Sequence, residues 1–277
     1  MRVIDVEHLG NERVIGCWEH EDVLVDPGPE STVQTLLRGL GEGFEPRAIL
    51  LTHIHFDHAG ATGALLERWP EVPVYVHAVG APHLIDPERL VKSATRLYGE
   101  ADMQRLWGKV VPVPEANVTV LEGGETVLGD YRVEYTPGHA SHHVSFLHEP
   151  TGTAFTGDTA GARIPPADLV VAPTPPPDID VDAWKRSIDL YEQWAPQRLA
   201  ITHFGEVTDG IGEHLARLRE SLDEEVERVG ELTQEEFVAS QTAFYEEQTD
   251  LATAQTYAQA VPHHHIWLGL DRWLSKR

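Results

Sequence analysis

The segment Thr52-His53-Ile54-His55-Phe56-Asp57-His58-Ala59-Gly60 places three imidazoles and a carboxylate within six residues. Sixteen histidines in 277 residues make loose clusters ordinary. The ordered pattern H-x-H-x-D-H, however, arises by chance in only about one chain in three hundred of this composition. Neutral imidazole nitrogen and ionised carboxylate oxygen are ligands of borderline dications such as zinc. His53 and His55 alternate, so an extended backbone aims both rings the same way, and Asp57 and His58 follow at an expected turn. That grouping favours two adjacent metal positions, because a single ion leaves part of the set unused.

Three later stretches each offer one more donor: His139 in Thr136-Pro137-Gly138-His139, Asp158 in Thr156-Gly157-Asp158-Thr159, and His203 in Thr202-His203-Phe204-Gly205. Alone, each reads equally well as a turn-capping Asp or a surface His. Together, each just past an expected strand, they are the separate contributions that a composite metal site requires.

Rigid elements must hold these donors. Strands are expected over 13–18 and 22–26, the second ended by Pro27-Gly28-Pro29, then a helix over 32–40 and a short buried strand over 48–51. The H-x-H-x-D-H segment leaves the C-terminal end of that strand, where layered α/β folds collect ligands on loops held by a rigid sheet. A helix over 61–69, a strand over 72–77 and a mostly helical stretch over 87–107 follow. Strands around 117–121, 131–135, 143–147 and 153–156 point to a second sheet. A proline-rich connection, 173–177, leads to a helix over 181–194, a last strand over 198–201 and a helical tail from Asp209.

With 41% hydrophobic residues the chain can bury a sizeable core. Forty-five Asp and Glu against twenty-one Lys and Arg, a net charge of −24, repel a polyanion or an anionic membrane surface. Neither nucleic acid nor a membrane is therefore expected as a partner. With no export signal and no long apolar run, the chain reads as cytoplasmic and acting on a small molecule. Its one cysteine, Cys17, lies in a strand pattern and reads as a small buried hydrophobe.

On His53-x-His55-x-Asp57-His58, His139 in T-P-G-H, Asp158 in T-G-D-T and His203 in T-H-F-G, the chain resembles the metallo-β-lactamase-fold superfamily over roughly residues 1–207. The resemblance implies an α+β fold, a four-layer αβ/βα sandwich with metals in a cleft at one edge. Residues 1–207 would form that catalytic domain and 208–277 a C-terminal helical extension. By position, the resemblance implies that His53, His55 and His139 hold a first metal and Asp57, His58 and His203 a second, with Asp158 bridging. Two Zn2+ per chain are expected, with iron or mixed metals as the alternative. Such a pair lowers the pKa of a bridging water towards neutrality. The expected activity is hydrolysis of an ester, thioester, lactone or related bond, with Asp57 shuttling the proton to the leaving group.

Within that superfamily, oxygen-reducing diiron relatives carry glutamate where His55 stands, and true β-lactamases are exported and lack a bridging Asp at the place of Asp158. The acidity argues against the RNA-processing branch. Only Arg163 is basic in the stretch after Asp158, which places glutathione thioesters in doubt. The rival reading is a persulfide dioxygenase with a single iron at His53, His139 and Asp158. A third is a non-catalytic metal-binding module, against which the full set of seven ligand-type residues stands.

Other residues carry a plain reading beside a functional one. His77 and His83 either line the cleft or are ordinary core or surface histidines, and His263-His264-His265 reads as packing rather than a second metal tract. At least one of His142 and His143 is expected to hydrogen-bond a metal ligand or the Asp158 loop. Asp26 either caps a turn or approaches the metals. Tyr98, Trp107, Phe204 and Tyr245 are candidates for an aromatic pocket wall, against a default of core packing. The tail either covers the cleft or makes a homodimer contact.

Overall fold

Short strands and amphipathic helices alternate along the chain in the computed structural model, which describes all 277 residues. One sheet contains β1 (Arg2–Asp5), β2 (Gly16–His20), β3 (Val23–Val25), β4 (Ala48–Leu50), β5 (Val74–His77) and β6 (Val118–Leu121) in that order. It is antiparallel from β1 to β3 and parallel from β3 to β6. The other sheet holds β7 (Thr126–Val127), β8 (Tyr131–Tyr135), β9 (Val144–His148), β10 (Thr153–Gly157), β11 (Arg198–Ile201) and β12 (Gly205–Val207), again in sequential order. Only its β10–β11 pair is parallel.

Six helices lie between strands of the first half: α1 (Val33–Leu40), α2 (Phe56–Ala59), α3 (Thr62–Arg68), α4 (Ala81–Ile85), α5 (Glu88–Tyr98) and α6 (Glu100–Asp102). Then come α7 (Val181–Trp194) and the tail helices α8 (Ile211–Glu231), α9 (Gln234–Gln248), α10 (Leu251–Ala260) and α11 (His263–Leu274). Asp180 caps α7 by accepting from the Ala183 amide, and Thr233 with Glu236 forms a capping box on α9.

The period-two alternation of strand side chains builds the layers. Val23 and Val25 of β3 and Leu50 of β4 point into the seam between the sheets, against Phe146 and Phe155. Leu24 and Ile49 point outward, into a cluster with Leu36 of α1 and Leu65 of α3. In the second sheet Ala154, Leu199 and Ile201 face outward onto Trp184 and Ile188 of α7 and Leu218 and Leu222 of α8. The result is the expected α+β, four-layer αβ/βα sandwich. Phe237, Tyr257, Ile266 and Leu270 belong to that same outer cluster, so the tail is packed onto the helical layer of the second sheet.

Several local expectations shift. β1, β7 and β12 were not legible, being two to four residues long. The strand expected from residue 13 begins at Gly16, because Arg13 takes a positive φ of 61°. Asp57 and His58 lie in the short helix α2 instead of a turn. The helical stretch over 87–107 is broken at Gly99 (φ 81°) and ends in a π-helical turn, Met103–Trp107. Cys17 is fully buried, and burial pushes its thiol up, as expected of an inert core residue.

Candidate metal centre

All seven donors predicted from the sequence meet at one edge of the sandwich. His53 and His55 leave β4, Asp57 and His58 stand on α2, His139 follows β8, Asp158 follows β10 and His203 follows β11. His55 Nδ1 lies 3.0 Å from both His53 Nε2 and His139 Nε2, so three ring nitrogens converge on one point. A second group comprises Asp57, His58 and His203, with Asp57 Oδ2 3.5 Å from His203 Nε2 and 3.9 Å from His58 Nε2. Asp158 lies between the groups. Its Oδ2 is 3.3 Å from His139 Nε2, while its Oδ1 is 3.1 Å from His58 Nε2 and 3.5 Å from His203 Nε2.

Outer partners set which nitrogen of each ring offers a lone pair. A carbonyl only accepts, so His139 Nδ1 donates to Pro173 O (2.8 Å) and His203 Nδ1 to Val14 O (2.6 Å). His58 Nδ1 donates to Asp26 Oδ2 at 2.8 Å. Thr52 Oγ1 donates to the same carboxylate at 2.7 Å, which leaves it to accept from His53 Nδ1 at 3.1 Å. In all four rings Nε2 is thereby left as a lone pair aimed inward, the arrangement by which outer partners orient metal-binding imidazoles.

That arrangement fits dications. His58 Nε2 and Asp158 Oδ1 are buried and lie 3.1 Å apart, yet neither has a hydrogen-bond partner. Two lone pairs held face to face in a buried site need a cation between them, a metal ion or, without one, a proton on His58 Nε2. Burial pushes His53 down, with His58 adding to it, and burial with His139 pushes His55 down to about 4, so both rings are neutral, the ligating form. Burial also lowers His58, but Asp158, Asp26 and Asp57 outweigh it and push that ring well above its ordinary value. The second position thus attracts positive charge.

Asp26 is the functional residue whose role sequence reasoning left undecided. It is 1% exposed and accepts from His58, the Thr52 amide (2.8 Å), and the hydroxyls of Thr52 and Thr202. Its signal was its place at the end of β3, which pairs in parallel with the strand leading to His53. The expectation for His142 and His143 is corrected: His142 Nδ1 accepts from the Ile54 amide at 3.4 Å and His143 Nδ1 pairs with Thr136 Oγ1. Neither hydrogen-bonds a predicted ligand or the Asp158 loop: the His143 ring stacks on His53, and its Nε2 has no partner.

A cavity of about 550 Å3 opens over Asp57, Asp158 and His203. Tyr98, Trp107, His83 and His265 line it. Tyr245 is core, His77 stacks on Tyr135, and Phe204 is not among the lining residues.

The sequence pattern of the Metallo-beta-lactamase superfamily matches residues 19–203, and with this fold and donor set the chain belongs to that superfamily. It is accordingly a member of a metallo-hydrolase family whose centres take divalent metals. The metallo-beta-lactamase fold-containing protein ST1585 of Sulfurisphaera tokodaii is 32% identical over 212 residues, 73% of this chain and 76% of that protein. The crystal structure of ST1585 aligns over 94% of this chain and 93% of its own, with a TM-score of 0.65 and 23% identity, a likeness of fold. The probable metallo-hydrolase YflN of Bacillus subtilis is 32% identical over 50% of this chain and 55% of its own length. A hydroxyacylglutathione hydrolase of Xylella fastidiosa is 34% identical over 137 residues, of which this chain spans 40% of that protein.

Proposed function

We propose that this protein hydrolyses an ester, thioester or lactone of a small molecule at a pair of metal ions, zinc in the first instance. The observation that carries the reading is Asp158, whose two oxygens face two separate donor groups, His53–His55–His139 on one side and Asp57–His58–His203 on the other. Held by those two groups, dications would supply Lewis acidity for the carbonyl and for the attacking water. In the net reaction the water oxygen forms a new acyl bond, the bond to the leaving oxygen or sulfur breaks, and the leaving atom takes a proton. Asp57 is placed to carry that proton: its side chain is 22% exposed at the cavity floor, whereas Asp158 is only 4% exposed. His58, positioned by Asp26, and His203, positioned by Val14 O, hold the side of the site to which Asp57 belongs.

Elemental analysis of protein purified without added metal tests this. About two zinc ions per chain support the reading. About one iron per chain overturns it and favours the persulfide dioxygenase. Two metals without turnover of any ester, thioester or lactone favour the binding module.

A further inference from the structure

The cavity over the metal centre is walled by three segments that the sandwich itself does not need: residues 79–107, the proline-rich 173–178 and the tail at 259–266. Helix α5 has no buried residue, although Leu90, Ala94 and Leu97 recur on one face at helical spacing. That face lines the cavity, and Leu97 there is 41% exposed. Val261 and Ile266 of the tail, themselves buried, line the same cavity. A lid helix that turns its apolar stripe towards open space has hydrophobic surface available for a ligand to cover.

The aromatic end of the cavity is preformed. Trp107 stacks on His8 at 5.4 Å, and Tyr98 meets its edge at 5.5 Å. His8 Nε2 donates to Leu106 O at 2.9 Å, and Gln259 Nε2 donates to His8 O at the same distance. The N-terminal loop, the π turn and the tail are thereby tied together around one wall.

Charge complements shape. Apart from Asp57 and Asp158, which face the metal positions, the Asp, Glu, Lys and Arg lining is Asp178 and Arg89, the latter exposed on α5 and the lone Lys or Arg. Away from the metal centre, an anionic group finds no buried cation to pair with.

Building on the hydrolase reading, we propose that the substrate is an uncharged ester or lactone with a flexible hydrocarbon arm. The arm, on the order of ten carbons for a cavity of this class, lies along Leu90, Leu97 and Trp107. Anionic conjugates such as glutathione thioesters match this lining less well than a neutral arm does.

Two measurements test this separately from the hydrolase reading. With the metal-loaded enzyme and neutral esters from acetyl to decanoyl, kcat/KM rises about three- to fourfold per added methylene until the cavity is filled, through KM. Lactoylglutathione is turned over far more slowly. Independently of turnover, calorimetry with octan-1-ol shows saturable binding, and Leu97→Asp, at an exposed position that spares the fold, weakens it at least tenfold. Activity on short esters with a flat chain-length profile leaves the hydrolase standing and overturns the arm-binding assignment. Absence of octanol binding, or an unchanged affinity in Leu97→Asp, overturns it even if no ester is hydrolysed.

Discussion

His58 and Asp26, thirty-two residues apart and both fully buried, form a 2.8 Å hydrogen bond that fixes the His58 ring with its Nε2 lone pair facing Asp158. Asp26 touches no other predicted ligand, so its effect on the site passes through His58 and the Thr52 hydroxyl. Asp26→Asn is expected to weaken the second metal about 10- to 100-fold and the first much less. Chelator titration followed by elemental analysis reads this. Equal loss at both positions points to general collapse instead.

Asp158→Ala removes the oxygens facing both donor groups, and His203→Ala removes one donor from the second group only. The first variant is expected to lose the metal pair and the second to keep about one ion per chain. An unchanged metal count in both contradicts the assignment.

Glu225 lies on α8, is 3% exposed, and its Oε2 has no partner. Burial, against the opposing pull of Ser221 and Arg228, pushes its carboxyl up to about 8. The folded chain therefore keeps a proton that the unfolded chain releases at the ordinary carboxylate pKa of 4.5. Stability from this group is complete below about pH 4.5 and is lost as pH rises through about 8, at a slope of at most ~1.4 kcal/mol per pH unit. Glu225→Gln is expected to flatten that decline and to be more stable than the parent at pH 8. Urea unfolding at pH 5, 6.5 and 8 decides it, and parallel curves for parent and variant refute it.

Gly269 lets α11 press against the proline-rich segment. A Cβ there falls 1.9 Å from Thr174 O, which is backbone and cannot swing aside. Gly269→Ala is expected to cost about 1–3 kcal/mol or more. It should also loosen the segment whose Pro173 O orients His139. A Tm equal to the parent's shows that the tail is not seated there.

Reading the chain in order picked out the seven residues that meet at one edge, and the fold, because the relevant signals are local. H-x-H-x-D-H is a six-residue pattern, and His139, Asp158 and His203 each follow a strand that announces itself by β-branched and aromatic residues. The long helices α7 and α8 declare themselves by their apolar spacing. Two- and three-residue edge strands such as β7 and β12 carry too few side chains to show a period, and they form only because a neighbouring strand is already in place.

What only the tertiary structure decided is the chemistry at each atom. His203 donates to Val14 O from 189 residues away and His139 to Pro173 O from 34. A residue type specifies that a ring can ligate, but not which nitrogen keeps its proton. The same holds for the tail: its amphipathic pattern suited a lid or a dimer face alike, and the placement of Gln259 against His8 and of Val261 and Ile266 among the lining residues puts part of it at the cleft. The sequence by itself determined which donors are present and that strands would carry them to one edge, since a strand's direction and period follow from local sterics. Tautomer, charge and pocket shape depend on contacts between segments far apart in the chain, and those exist only once the two sheets have packed.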